Sequence, residues 1–213
     1  MGSEGTLIPV EADRPGPGEE LNTGAPTEPR QAATVIVLRG GSERLEVLLV
    51  QRNPAARFMG GAWVFPGGAL DGSEDAGTAG VREVAEEAGI DLGDSSALLE
   101  FSRWITPPEV RIRFDTLFLL AAAPADAVAR PDGGETVDAG WYAPDDALAA
   151  FARGDLSLVF PTIKTLEQLS RFGSADELLG WARGRLVEPI EPRVVVEGEV
   201  ARVVLPGEPG YRD

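Results

Sequence analysis

Three glutamates stand close together in the stretch GVREVAEEAGI, residues 80–90. Glu83, Glu86 and Glu87 are spaced three and four residues apart, so on a helix their carboxylates share one face. Gly89 follows them and is typical of a helix C-terminus, where the helix dipole is negative and favours Lys or Arg. Three carboxylates at that position repel one another. Taken alone, the triplet favours a solvated acidic helix face, and a cation site is the alternative.

The chain offers few other groups for demanding chemistry. It contains no cysteine and no histidine, and Lys164 is its single lysine. These absences exclude disulfides, thiolate nucleophiles, zinc sites built from Cys and His, and triads that need imidazole. Carboxylates without imidazole or thiolate partners favour hard cations such as Mg2+ or Mn2+.

The triplet is predicted to lie on a helix that covers residues 73–88. Ser73 is the expected N-cap, and Glu74 and Asp75 suit the first turn. The apolar stripe of this helix consists of Val81, Val84, Ala85 and Ala88. The stripe leaves the three glutamates largely off the buried face.

Strand and helix patterns surround that helix. Two β-rich runs, ATVIVLR and LEVLLVQR, are separated by GGSER and predict a hairpin. Further predicted strands are AWVFPGG, ALLEFSRWIT, RFDTLFLLAAA and AGWYA. Further predicted helices cover residues 145–152, 162–171 and 175–183, and a terminal hairpin turns at residues 197–198. Strands that alternate with helices indicate a mixed α/β layer architecture.

A longer pattern encloses the acidic triplet. Residues 68–90 read GALDGSEDAGTAGVREVAEEAGI: a glycine, five residues, Glu74, seven residues, and then REVAEEAGI. This stretch resembles the Nudix box, the signature of Nudix hydrolases, at every defined position. The resemblance implies a Nudix-type α/β/α sandwich with a mixed β-sheet, to which the C-terminal helices and hairpin are additions. It also implies hydrolysis of a diphosphate linkage that joins a nucleoside to another group.

The same resemblance implies a metal site. Glu83, Glu86 and Glu87 match the family's metal ligands, and the backbone carbonyl of Gly67 is a further expected ligand. The implied cofactor is Mg2+ or Mn2+, which neutralises phosphoryl oxygens while a bound water attacks. Glu83 is also expected to help position or deprotonate that water.

Further acidic and basic residues join the predicted catalytic group. Arg82 and Glu74 resemble the family's orienting pair, which holds loop and helix together. Nudix hydrolases often take a fourth acidic group from a later loop, and Glu135 is the candidate here. Glu109 and Asp115 compete for that role.

The stretch before the box bears on the substrate. Residues 48–68, LLVQRNPAARFMGGAWVFPGG, resemble the extra signature of coenzyme A-cleaving Nudix enzymes, with departures at Val50 and Asn53. Three later stretches resemble the peroxisomal-type acyl-CoA diphosphatases and their bacterial relatives: WITPPEVRIRFDTLFLLA, PTIKTLEQLSRFGSADELLGWARGR and LPGEPGY. The resemblance implies cleavage of CoA or acyl-CoA into 3',5'-ADP and (acyl-)phosphopantetheine.

Several residues near these segments are candidates for binding substrate. They are Arg52, Arg57, Gly67, Gly68, Arg111 and Arg113. Arginine forks suit the diphosphate and the 3'-phosphate of CoA, although each arginine can instead pair with a surface carboxylate. Trp104 and Phe114 either stack on adenine or belong to the core.

Two other functions remain open. One is a different Nudix substrate, namely ADP-ribose, a dinucleotide or an oxidised nucleoside triphosphate, since Pro107 lies about where ADP-ribose-cleaving members carry a proline. The other is a non-catalytic Nudix-fold ligand-binding regulator. Such proteins usually lose ligand carboxylates, and this chain keeps all three.

Composition limits the partners. The net charge of −16 and the absence of a basic stripe predict a small-molecule nucleoside diphosphate substrate rather than a nucleic acid polymer. No apolar run reaches the length of a membrane span, so no membrane partner is expected. Without a sorting signal, a cytoplasmic location is the default expectation.

The chain divides into two predicted parts. Residues 1–30 are rich in Gly, Pro, Glu and Thr and predict a flexible tail, and residues 31–213 form the expected Nudix hydrolase domain. The C-terminal helices and hairpin are expected either to form a homodimer contact or to cover the acyl or pantetheine end of the substrate.

Overall fold

The computed structural model describes residues 7–8, 21–22, 24–197 and 200–211. The strands are β1 (Leu7–Ile8), β2 (Arg30–Arg39), β3 (Glu46–Arg52), β4 (Trp63–Val64), β5 (Gly67–Ala69), β6 (Leu99–Ile105), β7 (Phe114–Ala122), β8 (Thr136–Tyr142), β9 (Pro189–Ile190), β10 (Arg193–Glu197) and β11 (Val200–Val204). The helices are α1 (Ala76–Ala88), α2 (Pro144–Arg153), α3 (Phe160–Leu169) and α4 (Ala175–Ala182), with a short 3-10 helix at Ser95–Ala97. Groups of strands alternate with single helices or groups of helices along the chain, in the order that the sequence predicts.

The central sheet is mixed. Its hydrogen-bonded order is β4-β3-β2-β7-β6-β9, with β5 also on β2 and β8 on β3. The pairs β2–β7 and β6–β9 are parallel, whereas the other neighbours run antiparallel. The predicted β2–β3 hairpin is present, but its strands pair only at Leu38–Val47 and Arg39–Glu46. The rest of β2 pairs with β5 and β7, which places it in the middle of the sheet.

Alternate side chains of β2 reach two separate cores. Val35 and Val37 pack in a cluster with Val84 of α1. Ile36 and Leu38 pack in a second cluster that contains buried residues of α2, α3 and α4. Because successive strand residues point to opposite faces, the sheet lies between two helical layers, and the predicted α/β/α sandwich is confirmed.

Helix α1 begins later than predicted. Its N-cap is Asp75, whose carboxylate accepts a hydrogen bond from the backbone N–H of Thr78 at 2.8 Å, and the expected cap Ser73 lies in the preceding loop. Glu74 is held in that loop because its carboxylate accepts from the N–H of Asp71 at 2.6 Å. The helix ends as predicted at Gly89, whose φ of 64° is left-handed and strongly favours glycine.

The C-terminal additions follow the predicted order. Helix α3 starts two residues before the expected position, since Pro161 suits the first helical turn. Strands β10 and β11 form the expected antiparallel hairpin. Glu197, predicted to begin its turn, ends β10 instead, and Gly198 lies outside the described residues.

The domain holds part of the predicted tail. Thr27 donates its hydroxyl to the carbonyl of Arg111 at 3.0 Å, and the N–H of Asn22 donates to the carbonyl of Glu109 at 2.7 Å. Strand β1 pairs with β11 at Leu7–Arg202 and Ile8–Ala201. Residues 1–6, 9–20 and 23 of that predicted tail lie outside the described part of the chain. Among the residues described, none of the helices is long and apolar enough to cross a membrane.

Candidate functional site

A cavity of about 760 Å3 lies beside α1 and extends to the C-terminal hairpin. One part of its wall carries the charged side chains of Arg52, Asp71, Arg82, Glu83, Glu86 and Glu135. Another part is apolar and comes from the β6–β7 loop, the start of α3 and the β10–β11 hairpin. The cavity is therefore charged in one region and hydrocarbon-lined in another.

Two of the three predicted metal-binding glutamates are buried. Glu83 is 8% exposed and Glu87 is 3% exposed, whereas the side chain of Glu86 is 60% exposed. The expectation that all three lie largely off the buried face is therefore wrong for Glu83 and Glu87. The reason is tertiary: β5 and the chain beside it cover this face of α1, which a helical pattern by itself does not reveal.

Arg82 gathers the acidic groups around one guanidinium. Its Nη2 lies 2.7 Å from Glu74 Oε1, which is the predicted orienting pair. Its Nη1 donates to Glu83 Oε1 at 2.8 Å and to Glu86 Oε2 at 3.0 Å. A further bond from Nη2 reaches the carbonyl of Ala69 at 3.3 Å, so Arg82 joins α1 to the loop before it. The hydrogen bond to Glu74 is the main cause of a raised pKa for Arg82, which stays charged.

Glu87 is tied to the strand that lines the cavity. Its Oε2 accepts a hydrogen bond from the N–H of Gly67 at 2.9 Å, and its Oε1 lies 3.9 Å from Arg52 Nη1. Burial raises the pKa of Glu87 to about 7, although the Gly67 bond opposes the shift. Burial also raises the pKa of Glu83, against the attraction of Arg82. The two carboxylates thus lie close together in a desolvated setting.

Gly68 permits the close approach of Glu83. A Cβ placed at Gly68 would overlap the Glu83 carboxylate, with Cδ at 2.5 Å, a separation that real Cβ atoms do not show. Gly68 and Gly67 both line the cavity, and their contact with substrate stays a prediction. The glycine pair therefore lets α1 carboxylates pack directly against the strand.

The acidic group fits a hard divalent cation in its donor chemistry. Within the described part of the chain, no three acidic side chains converge into a ready metal site. Arg82 Nη1 contacts both Glu83 and Glu86, and Glu87 turns one oxygen to Gly67. Glu83 and Glu86 nonetheless line the cavity, Glu87 is buried next to them on the same helix, and a cation would offset the cost of burying Glu83 and Glu87 together.

Glu135 is the fourth acidic candidate that the structure places at the cavity. It lines the wall, and its charge contributes to the raised pKa values of Glu83 and Glu87. Glu109 instead accepts from the N–H of Val194 at 3.1 Å, and Asp115 pairs with Arg103 at 2.7 Å. Neither Glu109 nor Asp115 lines the cavity.

The four arginines predicted to bind substrate differ in whether they line the cavity. Arg52 lines the cavity, but Arg57, Arg111 and Arg113 do not. Arg113 is buried and donates to the carbonyls of Thr106 at 2.9 Å and Thr27 at 2.7 Å. Because its remaining nitrogen pairs with Glu191, Arg113 joins three segments of the fold, and its contact with substrate stays a prediction.

Several residues that line the cavity were not predicted from the sequence. Arg30 and Phe58 line the cavity beside Phe114; the Arg30 guanidinium carbon lies 6.0 Å from that ring, and the Phe58 ring centroid also lies 6.0 Å from it. Arg30 on β2 lies beside Phe114 on β7 in the register of this strand pair. The sequence alone does not give that register, so it could not place the two residues together. Trp104 is 5% exposed and belongs to the core while also lining the cavity.

Comparisons with known proteins find related sequences and folds. A sequence model of the NUDIX domain matches residues 28–161. Human acyl-coenzyme A diphosphatase NUDT19 is 29% identical over 123 residues, which are 55% of this chain and 33% of that protein. The chain thus spans about a third of the length of this relative.

Solved structures share the fold. A NUDIX hydrolase from Alicyclobacillus acidocaldarius superposes with a TM-score of 0.65 at 28% identity, over 72% of this chain and 96% of that one. The NUDIX domain of Shewanella oneidensis NrtR, solved with ADP ribose, has a TM-score of 0.54 at 20% identity, over 68% and 88% of the two chains. The family match, the sheet and the acidic helix together show that this chain belongs to the NUDIX family.

Proposed function

We propose that the protein is a divalent-cation-dependent hydrolase that cleaves the diphosphate linkage of CoA or an acyl-CoA. The products are 3',5'-ADP and (acyl-)phosphopantetheine. One observation carries the proposal: a single cavity joins the acidic wall of α1 to a hydrocarbon-lined region. A substrate with a diphosphate next to a long, weakly polar arm matches both regions.

The acidic wall is where the cation belongs. Glu83, Glu86 and Glu87, with the backbone carbonyl of Gly67, are the groups that would hold Mg2+ or Mn2+. When bound, the ion supplies positive charge to the phosphoryl oxygens, which lowers the barrier to attack on phosphorus.

The other site residues position the substrate and move protons. Arg52 lies at the cavity wall, where its guanidinium can contact a phosphate oxygen. A water attacks one phosphorus, the bond from that phosphorus to the bridging oxygen breaks, and the proton of the water passes to a carboxylate of the wall. Glu83 and Glu135 both line the cavity and are the candidates for that proton. Arg82 orients Glu83 and Glu86.

Three observations support CoA as the substrate. The human relative carries the name acyl-coenzyme A diphosphatase. Residues 48–68 resemble the signature of CoA-cleaving Nudix enzymes. Arg30 and Arg52 provide two guanidinium groups along the cavity for a ligand that has a 3'-phosphate as well as a diphosphate.

ADP-ribose is the second candidate. Pro107 lines the cavity, and the NUDIX domain of Shewanella oneidensis NrtR, which has the same fold, was solved with ADP ribose. ADP-ribose has a polar sugar where an acyl-CoA has a pantetheine arm that ends in a hydrocarbon chain, and the apolar part of the cavity suits the latter better. A non-catalytic ligand-binding regulator is the alternative from another class.

A substrate panel tests the proposal. Purified protein is assayed with CoA, acetyl-CoA, ADP-ribose, NADH and oxidised dGTP in Mg2+ and in Mn2+. We expect the CoA compounds to have the highest kcat/KM and chelation to abolish turnover. Faster turnover of ADP-ribose than of every CoA compound would overturn the substrate assignment.

Two variants test the acidic wall in the same assay. Glu86→Gln and Glu87→Gln keep side-chain size and remove charge, so we expect turnover to fall by at least about a hundredfold while the circular dichroism spectrum stays unchanged. Full activity in both variants, or no turnover of any compound by the wild type, would support a binding role instead.

A further inference from the structure

The C-terminal hairpin completes the wall of the cavity. Pro192, Val194 of β10 and Val203 of β11 line it, and Val203 is 7% exposed. All three lie beyond residue 161, where the match to the NUDIX domain ends. Part of the cavity wall is therefore built by an addition to the domain that the family shares.

The hairpin is held at a defined position. The backbone N–H of Val194 donates to Glu109 Oε2 at 3.1 Å, and Arg113 Nη2 lies 2.7 Å from Glu191 Oε1. The Tyr211 hydroxyl donates to the carbonyl of Glu191 at 3.0 Å. These bonds fix the backbone on either side of Pro192, so the Val194 side chain has a set place in the wall.

This region of the cavity suits hydrocarbon. The start of α3 adds Phe160 and Pro161, and the β6–β7 strand pair adds Trp104. Among the residues that the structure describes, neither α3 nor the hairpin adds a charged side chain to the wall. A diphosphate placed there would be desolvated without a partner, which is costly. The diphosphate belongs at the acidic wall, and the group that extends towards the hairpin is apolar.

We propose that the hairpin and the start of α3 form a subsite for the acyl chain of the substrate, and that Val194 and Val203 set the chain length accepted. The inference rests on the proposed function, since it takes the diphosphate to lie at the acidic wall. Each methylene that enters the subsite raises kcat/KM by up to about fourfold, until the chain meets the hairpin.

Kinetics with a chain-length series test the subsite. Acetyl-, hexanoyl-, decanoyl- and hexadecanoyl-CoA are compared in the wild type, Val194→Phe and Val195→Phe. Val195 is the matched control, because it follows Val194 on β10, so its side chain points to the opposite face, and it does not line the cavity. We expect Val194→Phe to lower the ratio of kcat/KM for decanoyl-CoA over acetyl-CoA at least tenfold, through KM. An unchanged ratio, or an equal fall in Val195→Phe, overturns the proposal.

A binding measurement separates the subsite from the hydrolytic activity. Because Trp104 lines this region, 12-bromododecanoyl-CoA is titrated without divalent cation while tryptophan fluorescence is followed. We expect quenching in the wild type, at least tenfold weaker binding in Val194→Phe, and wild-type binding in Val195→Phe. This pattern in a protein that hydrolyses no CoA compound would refute the proposed function and keep the subsite. Quenching that Val194→Phe leaves unchanged would refute the subsite even in an active enzyme.

Discussion

Glu87 accepts a hydrogen bond from the backbone N–H of Gly67 at 2.9 Å, which ties the acidic helix to the strand that lines the cavity. The bond connects residues twenty positions apart. It holds α1 against β5 at the point where the carboxylates and the glycine pair meet. The site is thus built across two elements, and its function depends on how closely they pack.

Gly68→Ala tests that close packing. The new methyl group would overlap the Glu83 carboxylate, so we expect Glu83 to shift and kcat to fall at least about tenfold. The matched control is Gly180→Ala in α4, where a Cβ meets nothing within 4 Å. That change is expected to stabilise the protein by about 0.4–1 kcal/mol with full activity. Wild-type kcat in Gly68→Ala would show that the contact is not needed.

Arg82→Lys tests the role of the guanidinium. A single ammonium cannot reach Glu74, Glu83 and Glu86 together, so we expect kcat to fall by roughly 10–100-fold. Arg153→Lys is the control, because Arg153 forms an exposed pair with Asp155 and should tolerate the change. Steady-state kinetics and thermal unfolding are measured for both. Equal activity of the two variants would contradict the positioning role.

Arg113 and Arg52 should behave differently when changed to methionine. Arg113→Met removes the donor to two carbonyls and the ion-pair partner that lies 2.7 Å from Glu191, which we expect to cost roughly 2–3 kcal/mol and to lower Tm by about 5–10 °C with KM unchanged. Arg52→Met is expected to raise KM with little change in Tm, because Arg52 lines the cavity. Calorimetry gives the Tm and steady-state kinetics give the KM of both variants. A rise in KM for Arg113→Met as large as that for Arg52→Met would support the sequence-based prediction.

Asp132, in the loop next to Glu135, should contribute to the loss of folding stability at low pH. Its carboxylate accepts from the N–H groups of Thr136, Glu135 and Gly134, and these bonds lower the pKa of Asp132 to about 2. A depressed pKa means that the stabilisation is fully present above the unfolded pKa of about 3.9 and is lost as the pH falls through about 2.

The measurement compares urea unfolding between pH 5 and pH 2. We expect Asp132→Asn to be less stable by roughly 1 kcal/mol at pH 5 and to lose less stability on acidification than the wild type. Asp132 holds Thr136 through its backbone N–H, and the Thr136 hydroxyl donates to the carbonyl of Glu87 at 2.6 Å. Because the substitution loosens this connection to α1, we also expect the activity of Asp132→Asn to fall severalfold. The exposed Asp126→Asn is the control and should keep the wild-type pH dependence. Parallel pH curves for all three proteins would refute the prediction.

Local sequence patterns predicted much of the fold. The spacing of REVAEEAGI predicts a helix with three carboxylates on one face and a glycine stop, and α1 ends at Gly89 as expected. Alternation of apolar residues and turn residues predicts the strands and the later helices to within a few positions. Such patterns act over one helical turn or one hairpin, so the linear order of residues is enough to predict them.

Helix boundaries depended on competing local bonds. Ser73 and Asp75 are both good capping residues, and composition does not choose between them. Asp75 is the N-cap because Glu74 is held in the preceding loop, where its carboxylate accepts hydrogen bonds from Arg82 and from the N–H of Asp71. Those two bonds require the loop and the helix to be folded together.

The sequence by itself determined the family, the acidic helix and the kind of chemistry, because these rest on residue types at short, fixed spacings. Only the tertiary structure decided that Glu83 and Glu87 are buried, that Arg113 supports the fold while Arg52 reaches the cavity, and that Val194 and Val203 close its apolar side. The physical reason is that burial and charge pairing depend on which distant segments pack together. β5 covers one face of α1, and a hairpin more than a hundred residues later completes the cavity that the helix begins.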